Sequence, residues 1–296
     1  MTIAPLALTR RIARGRLGFL GLTLLYLAIV AVCVATLAAA GDLSLGRNPW
    51  DNLLKSMSDF ARPSFLDVWF GPERLEYRSE DGTLLRVEDR RVVELDFLCA
   101  LARATWTTFQ IATLGSLLAA LLALPLGLLT ARNLHAPVWL ARTANAVLDV
   151  ARAVHTLVFG LVLVGIVGLG PTAGILAIAL HSMGTYGKLY AESIETLDMG
   201  AVDSVRATGA SPSQVFFSAV WPSVLPQFVS NHLYVWEFNI RDSTILGLIG
   251  ASGLGLLISE AVSLFQWSRL VTIILVVVAL VMAFDALSRR IRKALL

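Results

Sequence analysis

One long uncharged stretch, Ala104–Ala131, constrains this chain more than any other feature of its sequence. About 20 consecutive apolar residues are enough to cross the hydrocarbon core of a bilayer as a helix. Similar runs occur at Leu17–Gly41 and at Leu270–Leu287. Charged residues make up only 15% of the 296 residues, whereas an average soluble domain has about 25%. The pattern therefore predicts an all-α, polytopic membrane protein.

Basic residues orient the chain in the membrane. Arginines cluster just before Leu17, and both arginine and lysine follow Leu287. Lys and Arg are enriched on the cytoplasmic side of membrane proteins, so both termini are predicted to be cytoplasmic. The run Leu17–Gly41 is longer than the apolar region of a signal peptide, which has about 7–15 residues. Residues 1–41 are therefore predicted to form a cytoplasmic segment and a retained first span.

The remaining runs predict about six transmembrane helices. A turn signal at Gly168–Pro171 divides one long uncharged stretch into two helices, and Thr143–Val167 precedes it as a single span. Two prolines, Pro222 and Pro226, predict a bend in the next span. The glycine-rich Ser243–Ser259 is short for a crossing, and counting it would place the basic C-terminus outside. We therefore predict an outer-side, partly re-entrant segment there.

Residues 42–103 differ from the rest because the acidic residues are concentrated among them. Asp81-Gly82 followed by Thr83–Val87 predicts one arm of a small hairpin. The segment Trp50–Phe70 is amphipathic and is predicted to lie along the outer surface. We interpret 42–103 as an extracytoplasmic insert and 104–296 as the main transmembrane domain.

A polar stretch, Lys188–Pro222, lies between two apolar runs. Its residues predict a short helix with two defined ends: Asp198 is placed to cap the start, and Gly209 to end it in a left-handed conformation. Ser211 then predicts a second cap, with Gln214 completing a capping box. A rigid short helix between two membrane helices is suited to docking against another protein.

The same stretch resembles a known family. Residues Arg206–Ser211 resemble the core of the cytoplasmic EAA loop in permease subunits of bacterial ABC importers, whose pattern is Glu-Ala-Ala, then Gly, then Ile-x-Leu-Pro. Here Asp203-Ser204-Val205 stands at Glu-Ala-Ala and Gly209 at the glycine, whereas Ala219 and Trp221 replace the Ile and Leu before Pro222. The strings Gly187–Glu192 and Asn239–Gly247 resemble the phosphonate-importer branch. The resemblance covers the chain from Ala104 onward.

This resemblance implies a type I ABC importer permease fold in the bacterial inner membrane, with a coupling loop at 188–213 that binds an ATPase. Asp203 and Arg206 would make polar contacts with the ATPase, Ala207 would pack closely and Gly209 would end the helix. The full set of implied coupling residues is Asp203, Ser204, Val205, Arg206, Ala207, Thr208, Gly209, Ala210, Ser211 and Pro212. The implied partners are a cytoplasmic ATPase dimer, an extracytoplasmic solute-binding protein, membrane lipid and a second permease, either the same chain or a related one.

The resemblance also implies a substrate, a phosphonate or a related phosphorus oxyanion such as phosphite or a phosphate ester. The alternative is another small solute, for instance methionine or another amino acid. Arg241, beside Asn239 and Ser243, is the candidate substrate-path residue because a guanidinium binds such oxyanions with two hydrogen bonds. A local ion pair of Arg241 with Asp242 or Glu237 is the equally weighted alternative.

Enzymatic and other functions are less well supported by the residues. Gly250-Ala251-Ser252-Gly253 imitates the nucleophile motif of an intramembrane protease, but no histidine follows Ser252 to act as its base. No phosphate-binding loop of the Gly-x-x-x-x-Gly-Lys-[Ser/Thr] type is present, so ATP and Mg²⁺ are expected on a partner chain. We predict no catalytic residue and no cofactor bound by this chain.

Two further roles were weighed. His155 and His181 lie in apolar runs, where ionisable groups are functional by default, but neither has a paired ligand at metal-binding spacing. A hydrogen bond to a neighbouring helix is therefore favoured over a metal site or proton relay. The net charge of +3, without aromatic residues among the basic ones, predicts no nucleic-acid partner.

Overall fold

The computed structural model describes residues 4–40, 49–70, 74–78, 84–134 and 136–295, and most of these are helical. Two strands form the antiparallel hairpin that was predicted, with Tyr77 opposite Arg86. The helices are α1 (Ala4–Ala40), α2 (Pro49–Phe60), α3 (Asp67–Phe70), α4 (Arg90–Thr130), α5 (Val138–Ala153), α6 (Thr156–Val167), α7 (Pro171–Glu195), α8 (Met199–Ala207), α9 (Pro212–Val215), α10 (Trp221–Leu246), α11 (Leu254–Ser263) and α12 (Trp267–Leu295); the strands are β1 (Arg74–Arg78) and β2 (Leu84–Asp89). The all-α prediction is confirmed.

The chain divides into two compact units, Met1–Met57 and Ser58–Leu296. In the first unit, α1 exposes its side chains along Gly21–Ala40, as a helix surrounded by lipid would. Trp50, Leu54 and Met57 of α2 are exposed and recur at helical spacing, so the predicted amphipathic pattern is present. Its position on the outer surface stays a prediction.

Three described helices, within α1, α4 and α12, are long and apolar enough to cross a membrane. Two bent helix pairs raise this number to as many as five: α5 with α6, and the α9–α10 helix with α11. The predicted count of six would also need α7, whose polar residues keep its average hydropathy low. The turn predicted at Gly168–Pro171 is confirmed, since α6 ends at Val167 and α7 begins at Pro171.

The predicted span Thr143–Val167 is not one continuous helix, because α5 and α6 meet at an angle of 91°. Two histidines satisfy backbone groups at the break. The Nδ1 atom of His155 accepts a hydrogen bond from Leu157 N (3.2 Å) and so caps α6. Nδ1–H of His181 donates to Val154 O (2.8 Å), just beyond the end of α5. The predicted hydrogen bond to a neighbouring helix is therefore present for His181, whereas His155 caps its own helix.

Helix α7 lies at the centre of the second unit and packs against α4, α5, α6 and α10. Close packing against α5 requires a glycine: a Cβ at Gly184 would lie 2.6 Å from both Arg152 N and Leu148 O. Lys188, one α7 turn away, donates to Asn145 Oδ1 (2.7 Å) and pairs with Asp149 (3.0 Å). Asp149 thus pairs with α7, although Arg152 lies three positions along its own helix.

The predicted boundary between insert and membrane domain, at residues 103 and 104, falls inside α4, which already begins at Arg90. The last part of the insert is bound to the membrane helices. Ser64 N donates to Thr272 Oγ1 of α12 (2.9 Å), and the buried Asp67 pairs with both Arg62 (3.1 Å) and Arg90. The second compact unit accordingly begins at Ser58, within the predicted insert.

The glycine-rich segment Ser243–Ser259 contains the end of α10, a tight turn and the start of α11. Its glycines allow two backbone segments to touch: a Cβ at Gly247 would lie 2.7 Å from Gly255 Cα. Leu254 N, at the start of α11, donates to Thr108 Oγ1 of α4 (2.8 Å). The bend between the two helices is 45°, compatible with a broken span or a re-entrant segment.

Candidate functional site

Helix α8 has the two ends that its sequence predicted. The Asp198 side chain accepts a hydrogen bond from Gly200 N (2.9 Å) and caps the start. Gly209 follows the helix with φ of 82°, a left-handed conformation that favours glycine. Ser211 N donates to Gln214 Oε1 (2.8 Å) and Gln214 N donates to Ser211 Oγ (3.4 Å), which completes the capping box.

The two faces of α8 differ in chemistry. On one face, Val202 is 2% exposed and packs into a small cluster with Val215, Ala219 and Val220. Asp203, on the other face, forms an exposed ion pair with Arg206 (3.0 Å). Among the ten predicted coupling residues, only Val205 and Ala210 are partly buried and the others are exposed. The helix is thus anchored on one side and open to a partner on the other.

Residues beyond the polar stretch hold α8 in place, and sequence reasoning missed them. Asn133 Nδ2, in the loop after α4, donates to Ile194 O at the end of α7 (3.1 Å) and to Met199 Sδ at the start of α8 (3.9 Å). Arg132 N donates to Glu195 Oε1 (3.0 Å). A cavity of about 280 Å³ lies between this loop, α8 and α9. These contacts therefore connect α8 to the ends of α4 and α7.

A π-helical turn, Phe216–Val220, connects α9 to α10 and ends two residues before Pro222. Ser223 Oγ donates to Ala219 O at this junction (2.7 Å), in the way that serine hydroxyls satisfy carbonyls near membrane prolines. Pro226 lies inside α10. Because π-turns are often found at functional sites, the junction is a candidate flexing point between α8 and α10.

The three predicted substrate-path residues do not converge. Arg241 is 46% exposed and pairs with Glu237 (2.8 Å), and its guanidinium lies 4.8 Å from the Phe238 ring centre. Ser243 is fully buried and donates to Ile240 O. The local ion pair of Arg241, the alternative to a substrate role, is therefore present with Glu237.

Asn239, the third of these residues, joins three helices. Its Oδ1 accepts a hydrogen bond from Ser182 Oγ of α7 (2.8 Å), and its Nδ2 donates to Ser116 Oγ of α4 (2.8 Å). All three side chains are at most 2% exposed. Ser116 and Ser182 were not predicted; the only signal was a hydroxyl residue inside an otherwise apolar run.

An open cavity of about 240 Å³ lies beside this network, between α7 and α10. Polar groups lining it include Thr185 and Asp242, and Asp242 Oδ2 accepts a hydrogen bond from Thr156 Oγ1 of α6 (2.8 Å). Sequence reasoning did not find this cavity, because its walls come from helices separated along the chain.

The alternative chemical sites are not assembled. Ser252 lies in the turn before α11 with φ of 73°, next to the packed Gly247 and Gly255. Within the described ranges, no group of three or more His, Cys, Asp or Glu residues is arranged to hold a metal ion. Ser252 therefore belongs to a glycine-packed turn.

Comparisons with known proteins identify the family. Residues 123–296 match the family described as binding-protein-dependent transport system inner membrane component. The putative phosphite transport system permease protein HtxC of Stutzerimonas stutzeri is 37% identical over 69% of this chain and 72% of its own length. The phosphite transport system permease protein PtxC of the same species is 37% identical over 63% of this chain and 68% of its own length.

A solved structure agrees in fold. One chain of the inward-facing MetNI methionine ABC transporter superposes with a TM-score of 0.61 at 21% identity, covering 68% of this chain and 98% of that one. The type I importer permease fold predicted above is thereby confirmed. The chain belongs to the family of binding-protein-dependent inner-membrane transport components: it is a permease subunit of an ABC importer, a transport protein and not an enzyme, whose ATPase is a separate partner.

Proposed function

We propose that this chain forms the translocation path for a phosphorus oxyanion, a phosphonate, phosphite or a related ester. The observation that carries the proposal is the pair of relatives named for phosphite transport, each 37% identical over about two thirds of the chain. The methionine alternative has weaker support: a relative named for methionine import is 28% identical over 37% of this chain, and the solved methionine transporter, at 21% identity, informs on fold alone.

In the proposed mechanism, α8 is the lever that couples ATP hydrolysis to transport. The exposed Asp203 and Arg206 would bind the ATPase, with Ala207 in close contact. When the ATPase dimer closes on ATP, α8 would move and push on the ends of α4 and α7 through the contacts of Asn133 and Arg132. The membrane helices would then rock between inward-open and outward-open states, without covalent chemistry in the permease.

The complete importer is proposed to contain two permeases, either two copies of this chain or this chain and a related one. Two copies of α8 would then face the two subunits of the ATPase dimer. An extracytoplasmic solute-binding protein would deliver the oxyanion and make the first selection among solutes.

The test of this proposal is copurification combined with uptake. Membranes carry the chain with Gly200–Gly209 either intact or scrambled, and mass spectrometry identifies the copurified proteins. We expect an ATPase with a phosphate-binding loop only with the intact stretch, and phosphite uptake only in those cells. If the ATPase copurifies with both versions, α8 is not the ATPase-binding helix. If cells with the intact chain take up no phosphorus oxyanion, the proposed substrate class is wrong.

Arg241→Ala is expected to lower phosphite uptake several-fold, because a guanidinium near the path would attract the anion, while the half-exposed ion pair with Glu237 limits the effect. ATPase copurification should not change, since Arg241 lies on α10 and not on the coupling helix. Arg241→Lys, which retains the charge, is the matched control and should keep most of the uptake. Equal uptake by the alanine variant and the unaltered protein would restrict Arg241 to its local ion pair.

A further inference from the structure

The cavity between α7 and α10 has several polar side chains on its largely apolar wall, in a part of the protein where polar groups are costly. It is lined by His181, Ser182, Thr185, Tyr234, Val235, Phe238, Asn239 and Asp242 and has a volume of about 240 Å³. Ser182 and Thr185 on α7, and Val235, Phe238 and Asp242 on α10, recur every three or four positions, so the lining comes from one face of each helix. Ionisable groups within membrane helices mark substrate or ion pathways.

Two of the lining side chains are already satisfied. Ser182 and Asn239 hydrogen-bond to one another, and Asn239 donates its amide to Ser116. These side chains hold the two walls together and have few groups left for a ligand. They set the width of the cavity.

Four other polar groups remain available, one of them the Tyr234 hydroxyl. Among the described residues, the Thr185 hydroxyl has no hydrogen-bond partner, and Asp242 accepts only from Thr156, through Oδ2. The carbonyl of Val154 can only accept, so Nδ1 of His181 carries the hydrogen and Nε2 is an acceptor in the neutral ring. The cavity therefore offers two hydroxyl donors, Thr185 and Tyr234, and two acceptors, Asp242 Oδ1 and His181 Nε2.

This set of groups does not suit a fully ionised oxyanion, which brings only acceptors. Such an anion would face the Asp242 carboxylate with no hydrogen between the two charged oxygens, and like charges repel strongly where water is scarce. A singly protonated phosphonate or phosphite carries one P–OH group. That group can donate to Asp242 Oδ1 while the Thr185 hydroxyl donates to an unprotonated oxygen.

We propose that the α7–α10 cavity is a subsite of the translocation path that holds the hydrogen-bearing form of the phosphorus oxyanion, with Asp242 as the P–OH acceptor and Thr185 as the donor. This inference rests on the proposed function and adds a selectivity to it. The carboxylate also keeps the affinity low, and a transport path requires that a ligand leave as readily as it enters.

The experiment uses the full-length permease with its copurified ATPase in lipid nanodiscs and measures dissociation constants by ³¹P NMR line broadening. The probes are methylphosphonate, at a pH where it is a monoanion, and its monomethyl ester, which has the same charge but no P–OH. We expect the ester to bind at least about tenfold more weakly than the acid, because the ester cannot make the hydrogen bond to the charged Asp242 carboxylate.

Two variant pairs assign the groups. Thr185→Val keeps the shape and removes the hydroxyl, so methylphosphonate binding should weaken about tenfold, and Thr185→Ser should restore it. Asp242→Asn replaces a pure acceptor by an amide that also donates. The acid–ester difference should then shrink to less than about twofold, because the amide can hydrogen-bond either ligand. Thr107→Val on α4, whose hydroxyl bonds only to its own helix at Arg103 O, should change nothing.

Three results would overturn the proposal: no line broadening of methylphosphonate, equal binding of acid and ester, or an unchanged acid–ester ratio in Asp242→Asn. Weakening by Thr107→Val as large as by Thr185→Val would also count against it. Phosphite uptake by cells separates the two levels of inference. If cells take up phosphite but the acid and the ester bind equally, the subsite proposal is wrong and the proposed function stands. If cells take up neither phosphite nor phosphonate, the proposed function is wrong.

Discussion

Gly209→Val is expected to separate ATP hydrolysis from transport: the import rate falls more than tenfold while the complex still hydrolyses ATP. No atom lies within 4 Å of the Cβ position at Gly209, so the valine side chain meets no steric obstacle. The strain comes from the backbone, because φ of 82° is left-handed and costs an L-residue about 1–2 kcal/mol, with β-branched residues at the upper end.

That strain would be relieved by changing the direction of the chain between α8 and the capping box at Ser211. The exposed face of α8 would then turn relative to the anchored Val202. As a result, a movement of the ATPase would be transmitted to α10 in a changed direction. The measurement is the number of ATP molecules hydrolysed per oxyanion imported, in proteoliposomes with the binding protein supplied.

The matched control is Gly209→Asn, because asparagine tolerates the left-handed conformation better than other residues with a side chain. We expect this variant to transport at close to the normal rate. A normal ratio of ATP hydrolysed to substrate imported in Gly209→Val would refute the role of Gly209 as the helix stop needed for coupling.

Asn239→Ala is expected to destabilise the folded permease by about 2–3 kcal/mol, the second large effect. The substitution removes two buried hydrogen bonds and leaves the hydroxyls of Ser182 and Ser116 without their amide partner. Each lost bond contributes roughly 1 kcal/mol, somewhat less between membrane helices, and the space left by the side chain adds a comparable cost. The measurement is the midpoint of thermal unfolding of the purified chain, which should fall by several degrees.

Gln227→Ala is the control from the same helix. Its amide is exposed and donates only to Asn231 (3.3 Å), so its loss should leave the unfolding midpoint nearly unchanged. If both variants unfold at the same temperature, the Asn239 network does not hold α4, α7 and α10 together.

Local features of α8 could be predicted from sequence because their partners are near in the chain. Asp198 bonds to a residue two positions away, and Ser211 and Gln214 are three apart. The left-handed glycine at 209 follows from the same short-range rules. The function of this helix as a coupling lever stays a prediction until the copurification and Gly209 experiments are made.

Contacts between distant residues could not be predicted in this way. The Ser182–Asn239 hydrogen bond joins residues 57 positions apart, and the Thr108 hydroxyl that accepts from the start of α11 lies 146 positions away. The 91° break between α5 and α6 was missed for the same reason: the hydrogen bond from His181 that satisfies a carbonyl at the break comes from another helix.

The pattern of residues already indicates a bundle of apolar helices with a capped polar helix between two of them, because hydropathy and capping depend on residues within a few positions. Which polar groups meet depends on the tertiary structure. It paired Asp149 with Lys188, enclosed Asn239 between two serines, and placed Asp242 and Thr185 around one cavity. In a membrane protein, a buried polar group must find a partner on a neighbouring helix, and helix packing determines which neighbour that is.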